Sequence, residues 1–153
     1  MIFTHSVGGG TGSGLTSLLA GRICTEYGNK LSKMSATVYP SKSTLTSIVE
    51  PYNAVLSVKF LMEHIDTTLL FRNNSLQGML DRIVGVENPS FLEINRCIAQ
   101  RLSSVTFPMR APGVLNWSLR EMIMNLVPYP RAHFQMTSQV CQSNGTAENL
   151  STN

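Results

Sequence analysis

Five glycines fall within seven residues at Gly8-Gly9-Gly10-Thr11-Gly12-Ser13-Gly14, between the apolar run 2–7 (IFTHSV) and a helical pattern. A strand that runs straight into such a turn and then into a helix aims backbone N–H groups at one spot. The helix N-terminus adds its partial positive charge there. Glycines let the backbone approach a ligand closely, and Thr11 and Ser13 add hydroxyl donors. The segment is therefore a candidate phosphate cradle, with a tight turn that is merely rich in glycine as the plain alternative. It has neither the Lys of a Walker A loop nor the GxGxxG spacing of dinucleotide folds.

The rest of the chain alternates between strand and helix patterns. Leu15, Leu18, Leu19 and Ile23 recur at helical spacing and predict an apolar inner face for the helix after the loop. Residues 33–39 (KMSATVY) read as a strand closed by Pro40, and Val55, Val58, Leu61, Met62 and Ile65 mark a second helix. A buried strand follows at 67–71, then a helix through Leu76, Met79, Leu80, Ile83 and Val84. Ser90 and Glu93 form a capping box for a fourth helix, expected to end before Pro108. Asn116 is placed to cap a fifth helix carrying Leu119, Met122, Ile123 and Leu126, and 132–136 resembles a strand. From Thr137 onward the apolar periodicity is lost, and 137–153 reads as a flexible tail. Such alternation predicts an α/β fold, a mostly parallel sheet flanked by helices, with ligands beyond the carboxyl ends of the strands.

Composition narrows the function. With 153 residues, 42% hydrophobic and a net charge of +3, the chain is not intrinsically disordered. The charged fraction of 14% is low and suggests apolar surface that something else covers. The few basic residues make no stripe for nucleic acid, and Arg96 and Arg101 are expected beside carboxylates in their helix. No apolar run reaches the roughly 20 residues of a membrane helix, and the first residues lack the pattern of a signal peptide. Cys24, Cys97 and Cys141 are odd in number and widely spaced, which suits a reduced, intracellular protein. His5, His64 and His133 lie far apart without Cys or carboxylate at ligand spacing, so they read as structural and no metal site is expected.

GGGTGSG, VEPYN (49–53), NPSFLEIN (88–95) and 112–134 (PGVLNWSLREMIMNLVPYPRAHF) resemble consecutive blocks of the tubulin superfamily, in order and at family spacing, over about 3–136. The resemblance implies a partial tubulin-type nucleotide-binding domain over 1–130, the first strand of a following intermediate domain at 131–136, and a tail at 137–153 outside the family. It implies GTP or GDP as ligand, accompanied by Mg2+ whose ligands lie elsewhere. Ser6, Gly8, Gly9, Gly10, Thr11, Gly12 and Ser13 would hold phosphates; Thr46 and Glu50 would meet the ribose. Thr46 is the residue type of alpha chains rather than the Asp of beta chains. Asn73 and Asn95 would read the guanine edge, since an amide both donates and accepts, and Phe91 would stack on the base. Read alone, Asn73 could cap a helix, Asn95 could be a solvated position, and Phe91 could be core.

Glu121 is expected to face outward. By the resemblance it polarises the water that attacks the GTP of the next subunit, at a longitudinal contact formed by 112–130; the alternative is a solvated carboxylate. Ser118 stands where alpha chains carry an assisting Asp. Trp117 would lie near the same contact or pack in the core. The departures at 72–75 and 94–113 suggest a delta-, epsilon- or zeta-like class, and with it a centriole or basal body within the cytoplasmic cytoskeleton. A complete tubulin is much longer, so the chain alone is expected to bind GTP weakly or not at all and to aggregate. The partners implied are other tubulin subunits, with neither nucleic acid nor membrane. A second reading is a truncated interaction module that binds tubulin partners without a nucleotide cycle. A free-standing phosphate enzyme would need a clustered base and nucleophile near the loop, and none is evident.

Overall fold

The computed structural model describes residues 1–41, 47–85, 89–111, 113 and 117–138. Four strands, β1 (Ile2–Ser6), β2 (Met34–Tyr39), β3 (Thr67–Arg72) and β4 (Phe134–Met136), form one parallel sheet in that order. Ser6 lies opposite Val38, and Val38 opposite Phe71, so the carboxyl ends of β1, β2 and β3 finish almost level. β4 pairs with β3 from Thr68 to Leu70 and so extends the same sheet.

Alternation along the strands sorts side chains to two faces. One carries Phe3, which joins Val7, Ala20, Leu61 and Ile65 under α1 (Gly10–Tyr27) and α2 (Glu50–His64). The other carries Met34, Ala36, Leu69 and Phe71, covered by Met122 of α5 (Leu119–Leu126) and by Ile98, Leu102, Val105 and Met109 of α4 (Phe91–Arg110). Leu76 and Leu80 of α3 (Asn73–Val84) pack with Ile94 and Cys97, which fastens α3 to the start of α4. The result is the expected α/β architecture, a parallel sheet between two helical layers.

Three local expectations are corrected. The inner face of α1 is Ser13, Thr16, Ser17 and Ala20, whereas Leu15, Leu18 and Leu19 are 51%, 61% and 44% exposed. The cause lies below the helix: here the sheet presents buried Ser35, Thr37 and Thr68. Small hydroxyl side chains let α1 come close to this polar floor, and leucines would hold it off. Next, α4 runs through Pro108 to Arg110 instead of stopping before the proline. Pro108 has no N–H for the Ser104 carbonyl. Around this gap Arg110 Nη2 donates to the Ser103 carbonyl at 3.0 Å and Thr106 Oγ1 to the Leu102 carbonyl at 2.8 Å, which holds the last turn. Finally, α5 is capped by Ser118; Asn116 lies outside the described residues. Of the 137–153 tail only 137–138 is described.

Two cations behave unlike solvated surface charges. Lys33 is 2% exposed; its amide donates to Asp66 Oδ2 at 2.7 Å and its Nζ lies 3.8 Å from the same oxygen. Nζ also donates to the carbonyls of Leu31 and Gly28, which ties down the amino ends of β2 and β3. Arg101 is 8% exposed between α3 and α4, where Nη2 meets the sulfur of Met79 and Nε has no partner. Among the described residues, Arg101 meets a thioether where carboxylates were expected.

The Lys33 clamp yields a measurable expectation. Asp66→Ala removes an acceptor from a backbone amide and the anion beside a buried ammonium. We expect a loss of about 2 kcal/mol in urea unfolding; a change indistinguishable from that of Glu63→Ala, an exposed carboxylate on α2, would show that the clamp carries no stability.

Candidate nucleotide site

The glycine loop bridges β1 and α1 at the carboxyl edge of the sheet. Val7 N–H donates to the Val38 carbonyl, so the chain leaves β1 still bound to β2. α1 begins at Gly10 with Gly9 as its N-cap in extended conformation, and no side chain caps it. Its first turn has no acidic residue. The leading amides of an 18-residue helix thus face outward without a capping side chain, and α1 brings no carboxylate of its own to them. Gly9 and Gly10 face open space, so their surface is free to be covered by a ligand.

Gly12 is fixed by contact rather than by conformation: a Cβ there would be driven into the Ser6 carbonyl oxygen. The Ser6 hydroxyl accepts from the Gly8 amide at 3.4 Å, and Ser13 Oγ donates to the Gly10 carbonyl at 3.2 Å. Ser6 and Thr11 are exposed, Ser13 buried. Glu50, the first residue of α2, comes beside Gly8: its side chain lies 3.6 Å from the point where a Cβ on Gly8 would stand. Asn53 Nδ2 donates to the Gly8 carbonyl at 3.1 Å. Asn53 has no role of its own in the sequence reading, where it is only part of VEPYN; here it ties the first turn of α2 to the loop. No spacing signal could have shown this, because the bond spans 45 residues. From Gly10, Ser13 and Asn53 a groove of about 640 Å³ runs between α1 and α2 to Thr25 and His64.

The remaining candidates form two further groups. Asn73 is the first residue of α3, directly after β3, with Arg72 in the N-cap position and no side-chain cap bond. The capping alternative for Asn73 therefore fails. Phe91 and Asn95 sit one turn apart at the start of α4, and both are exposed, Phe91 at 69%. A core role for Phe91 is excluded; Asn95 keeps both readings. The packing of Ile94 on Leu76 sets this group beside the first turns of α3. Thr46 lies outside the described residues.

Glu121 belongs to a different helix, α5. It is exposed, as expected, and stands at the third position of α5 in a capping box: Oε2 accepts from the Ser118 amide at 3.0 Å while Ser118 Oγ accepts from the Glu121 amide at 3.3 Å. α4 has 20 residues, which puts about 30 Å between Phe91 and the turn that leads to α5. Trp117, just before this cap, is 39% exposed. Among the described residues no group of three or more His, Cys, Asp or Glu side chains is gathered as a metal site, and no helix is long and apolar enough to cross a membrane.

Comparison with known proteins decides the family. Residues 1–81, more than half of the chain, match the Tubulin/FtsZ family, GTPase domain. The chain belongs to this family. It is 47% identical over 134 residues to the tubulin alpha chain of Dictyostelium purpureum, covering 88% of this chain and 40% of that protein. It is 49% identical over 137 residues to the tubulin alpha-1 chain of Saccharomyces cerevisiae, with 90% and 30% covered, and 48% identical over 134 residues to the tubulin alpha-3 chain of Zea mays, with 88% and 30% covered. The chain thus spans well under half the length of these tubulins. All three are alpha chains, which points to the alpha class rather than the delta-, epsilon- or zeta-like placement. The departures behind that placement are local, such as Arg101 and Pro108 in α4, whereas the identity to alpha tubulins extends along nine-tenths of the sequence.

The loop geometry separates its glycines. Gly12→Ala should cost about 2 kcal/mol of stability and displace the loop, while Gly9→Ala should stay within about 0.5 kcal/mol; equal effects in denaturant unfolding would show that the Ser6 contact does not constrain the loop. His5, at the end of β1, gives a pH dependence. Burial pushes its pKa below the ordinary 6.5, against weaker opposing pulls from the Ser6 and Gly12 backbone. The unfolded chain therefore takes up the proton first as pH falls through about 6.5. Stability should decline below that pH and level off once native His5 itself titrates, and His5→Gln should remove this part of the decline.

Proposed function

We propose that this chain supplies the glycine-loop side of the nucleotide site of an alpha-type tubulin subunit. The observation that carries the reading is the N-terminus of α1, uncapped, with no acidic residue in its first turn and framed by Gly9 and Gly10, which leave room for a ligand. The amides of Gly9, Gly10, Thr11 and Gly12 and the hydroxyl of Ser6 take the phosphates of GTP or GDP, with Gly8 and Ser13 lining the same cradle. Glu50 and Thr46 meet the ribose. Asn73 and Asn95 read the guanine edge, and exposed Phe91 offers the base a flat apolar partner. Mg2+ would accompany the triphosphate, its protein ligands supplied from outside these residues.

Glu121 acts on a different nucleotide. It belongs to α5, which follows the far end of α4 from Phe91 and Asn95. Its Oε2 is held by the Ser118 amide, which leaves Oε1 to take a proton from water at the nucleotide of a neighbouring subunit. Residues 112–130 form that longitudinal contact, the partners are other tubulin subunits, and the place of action is the cytoplasmic cytoskeleton. Residues 1–130 belong to the nucleotide domain, and 131–136 leads from it into the next part of the subunit.

Fluorescent GTP binding, competed by GTP but not ATP and paired with circular dichroism on the same sample, tests the site. The chain alone is expected to bind weakly, so the deciding case is a complete, folded subunit that carries these residues. GTP affinity unchanged there when Gly9 and Gly10 are replaced by bulky residues would overturn the phosphate reading. Glu121→Ala, placed in an assembling subunit that carries these residues, should slow hydrolysis in the polymer at least tenfold, on the order expected for a lost general base, with nucleotide affinity of the free subunit unchanged. Polymer hydrolysis at the original rate would remove Glu121 from the reaction.

A further inference from the structure

The polar layer under the loop gives work to a residue that the sequence marks as merely structural. His5 stands just before Ser6, with Nε2 2.9 Å from Ser35 Oγ and 3.3 Å from Thr37 Oγ1. Those two hydroxyls are 2.7 Å apart and fully buried. On the other side of the ring, Nδ1 is buried without a hydrogen bond, and the ring as a whole feels the backbone of Ser6, its neighbour in β1, and of Gly12. Ser6 and Gly12 are the two sides of the loop, already in contact through the Ser6 carbonyl. One imidazole thus joins the floor of the sheet to both sides of the cradle.

Its electrostatic surroundings are simple. On the same face β2 offers Ser35, Thr37 and then Tyr39, whose phenol burial keeps protonated. β3 offers Thr68, Leu70 and then the exposed Arg72 opposite Tyr39, and the inner face of α1 is Ser13, Thr16, Ser17 and Ala20. α1 adds the positive end of its dipole, and α2 brings one carboxylate, Glu50, to the loop at Gly8. In an empty loop a proton on His5 is opposed by burial and by that helix end. An anion in the cradle offsets the helix end and attracts the imidazolium, while Nδ1–H finds carbonyl acceptors and Nε2–H finds hydroxyls.

We propose that His5 is the positioning residue of the glycine loop and couples its occupancy by a phosphate group to the uptake of a proton. The coupling is reciprocal: bound phosphate favours protonated His5, and lower pH tightens phosphate binding. The proposal rests on the phosphate reading of the loop given above.

The test follows the His5 imidazole by NMR in the 15N-labelled chain with and without GTP, and measures fluorescent GTP affinity from about pH 5.5 to 8, the range in which imidazole titrates. His5→Gln, which keeps a side-chain partner for Ser35, and His5→Ala are compared. GTP should move the His5 titration upward. The affinity ratio of the unaltered chain to His5→Gln, which cancels titration of the nucleotide itself, should grow about fivefold toward low pH. A His5 titration unmoved by bound GTP would overturn the coupling. Should the chain alone bind no GTP, the same titrations are run in a complete subunit that carries these residues, and loop amide exchange decides the positioning role: faster exchange at 8–14 in His5→Gln supports it, and unchanged exchange refutes it.

Discussion

The carbonyl oxygen of Ser6 occupies the place where any side chain on Gly12 would begin. This contact sets how closely α1 approaches β1, and much of the molecule follows from it. A helix held so near the sheet can turn only small residues inward, which is why Ser13, Thr16, Ser17 and Ala20 are buried and the leucines face out. The sheet answers with hydroxyls at Ser35, Thr37 and Thr68. The same proximity keeps the first amides of α1 clear of its own side chains and presents them at the carboxyl edge, where parallel sheets expose their binding sites. Asn53 and Glu50 then bring the start of α2 to Gly8, so two successive crossovers close around one cradle.

How much of this was legible depends on which force decides each feature. The cradle is written locally: glycines at a strand–helix junction have few other uses, and GGGTGSG carried both the geometry and the family. The order of strands and helices was also legible, because 3.6-residue periodicity separates them cleanly over 50–64 and 91–107. The orientation of α1 was not. Periodicity finds a stripe without saying which side is buried, and here a polar floor overrides the leucines. Pro108 misled for a related reason, since Arg110 and Thr106 supply the last turn with hydrogen bonds that propensity does not count. Asn53, Lys33 and His5 were illegible as actors because their partners lie 30 or more residues away. At Asn73 and Phe91 the structure removes the plain alternatives; at Asn95 the reading still leans on the family.

The two helical layers differ in the cohesion that holds them. Above the face bearing Met34, Ala36, Leu69 and Phe71, α4 and α5 interdigitate long apolar side chains. Under α1 much of the interior is hydroxyl and imidazole, bonded in directed pairs. Directed bonds specify geometry more sharply than apolar contacts do, and they answer to charge. Placing the polar layer beneath the cradle puts the part of the core most responsive to electrostatics next to the group that would carry the most charge.

The clamp at Lys33 gives the sheet an order of opening. Its ammonium and the amides of Lys33 and Asp66 are bound at the amino edge, while the carboxyl edge ends in a glycine loop with open amides. Separating β2 from β3 at the amino edge would leave a charge stranded before it reached water, so local fraying must start from the loop side and travel backward. The strands behave like a zipper fastened at one end, with binding placed at the end that is free to part.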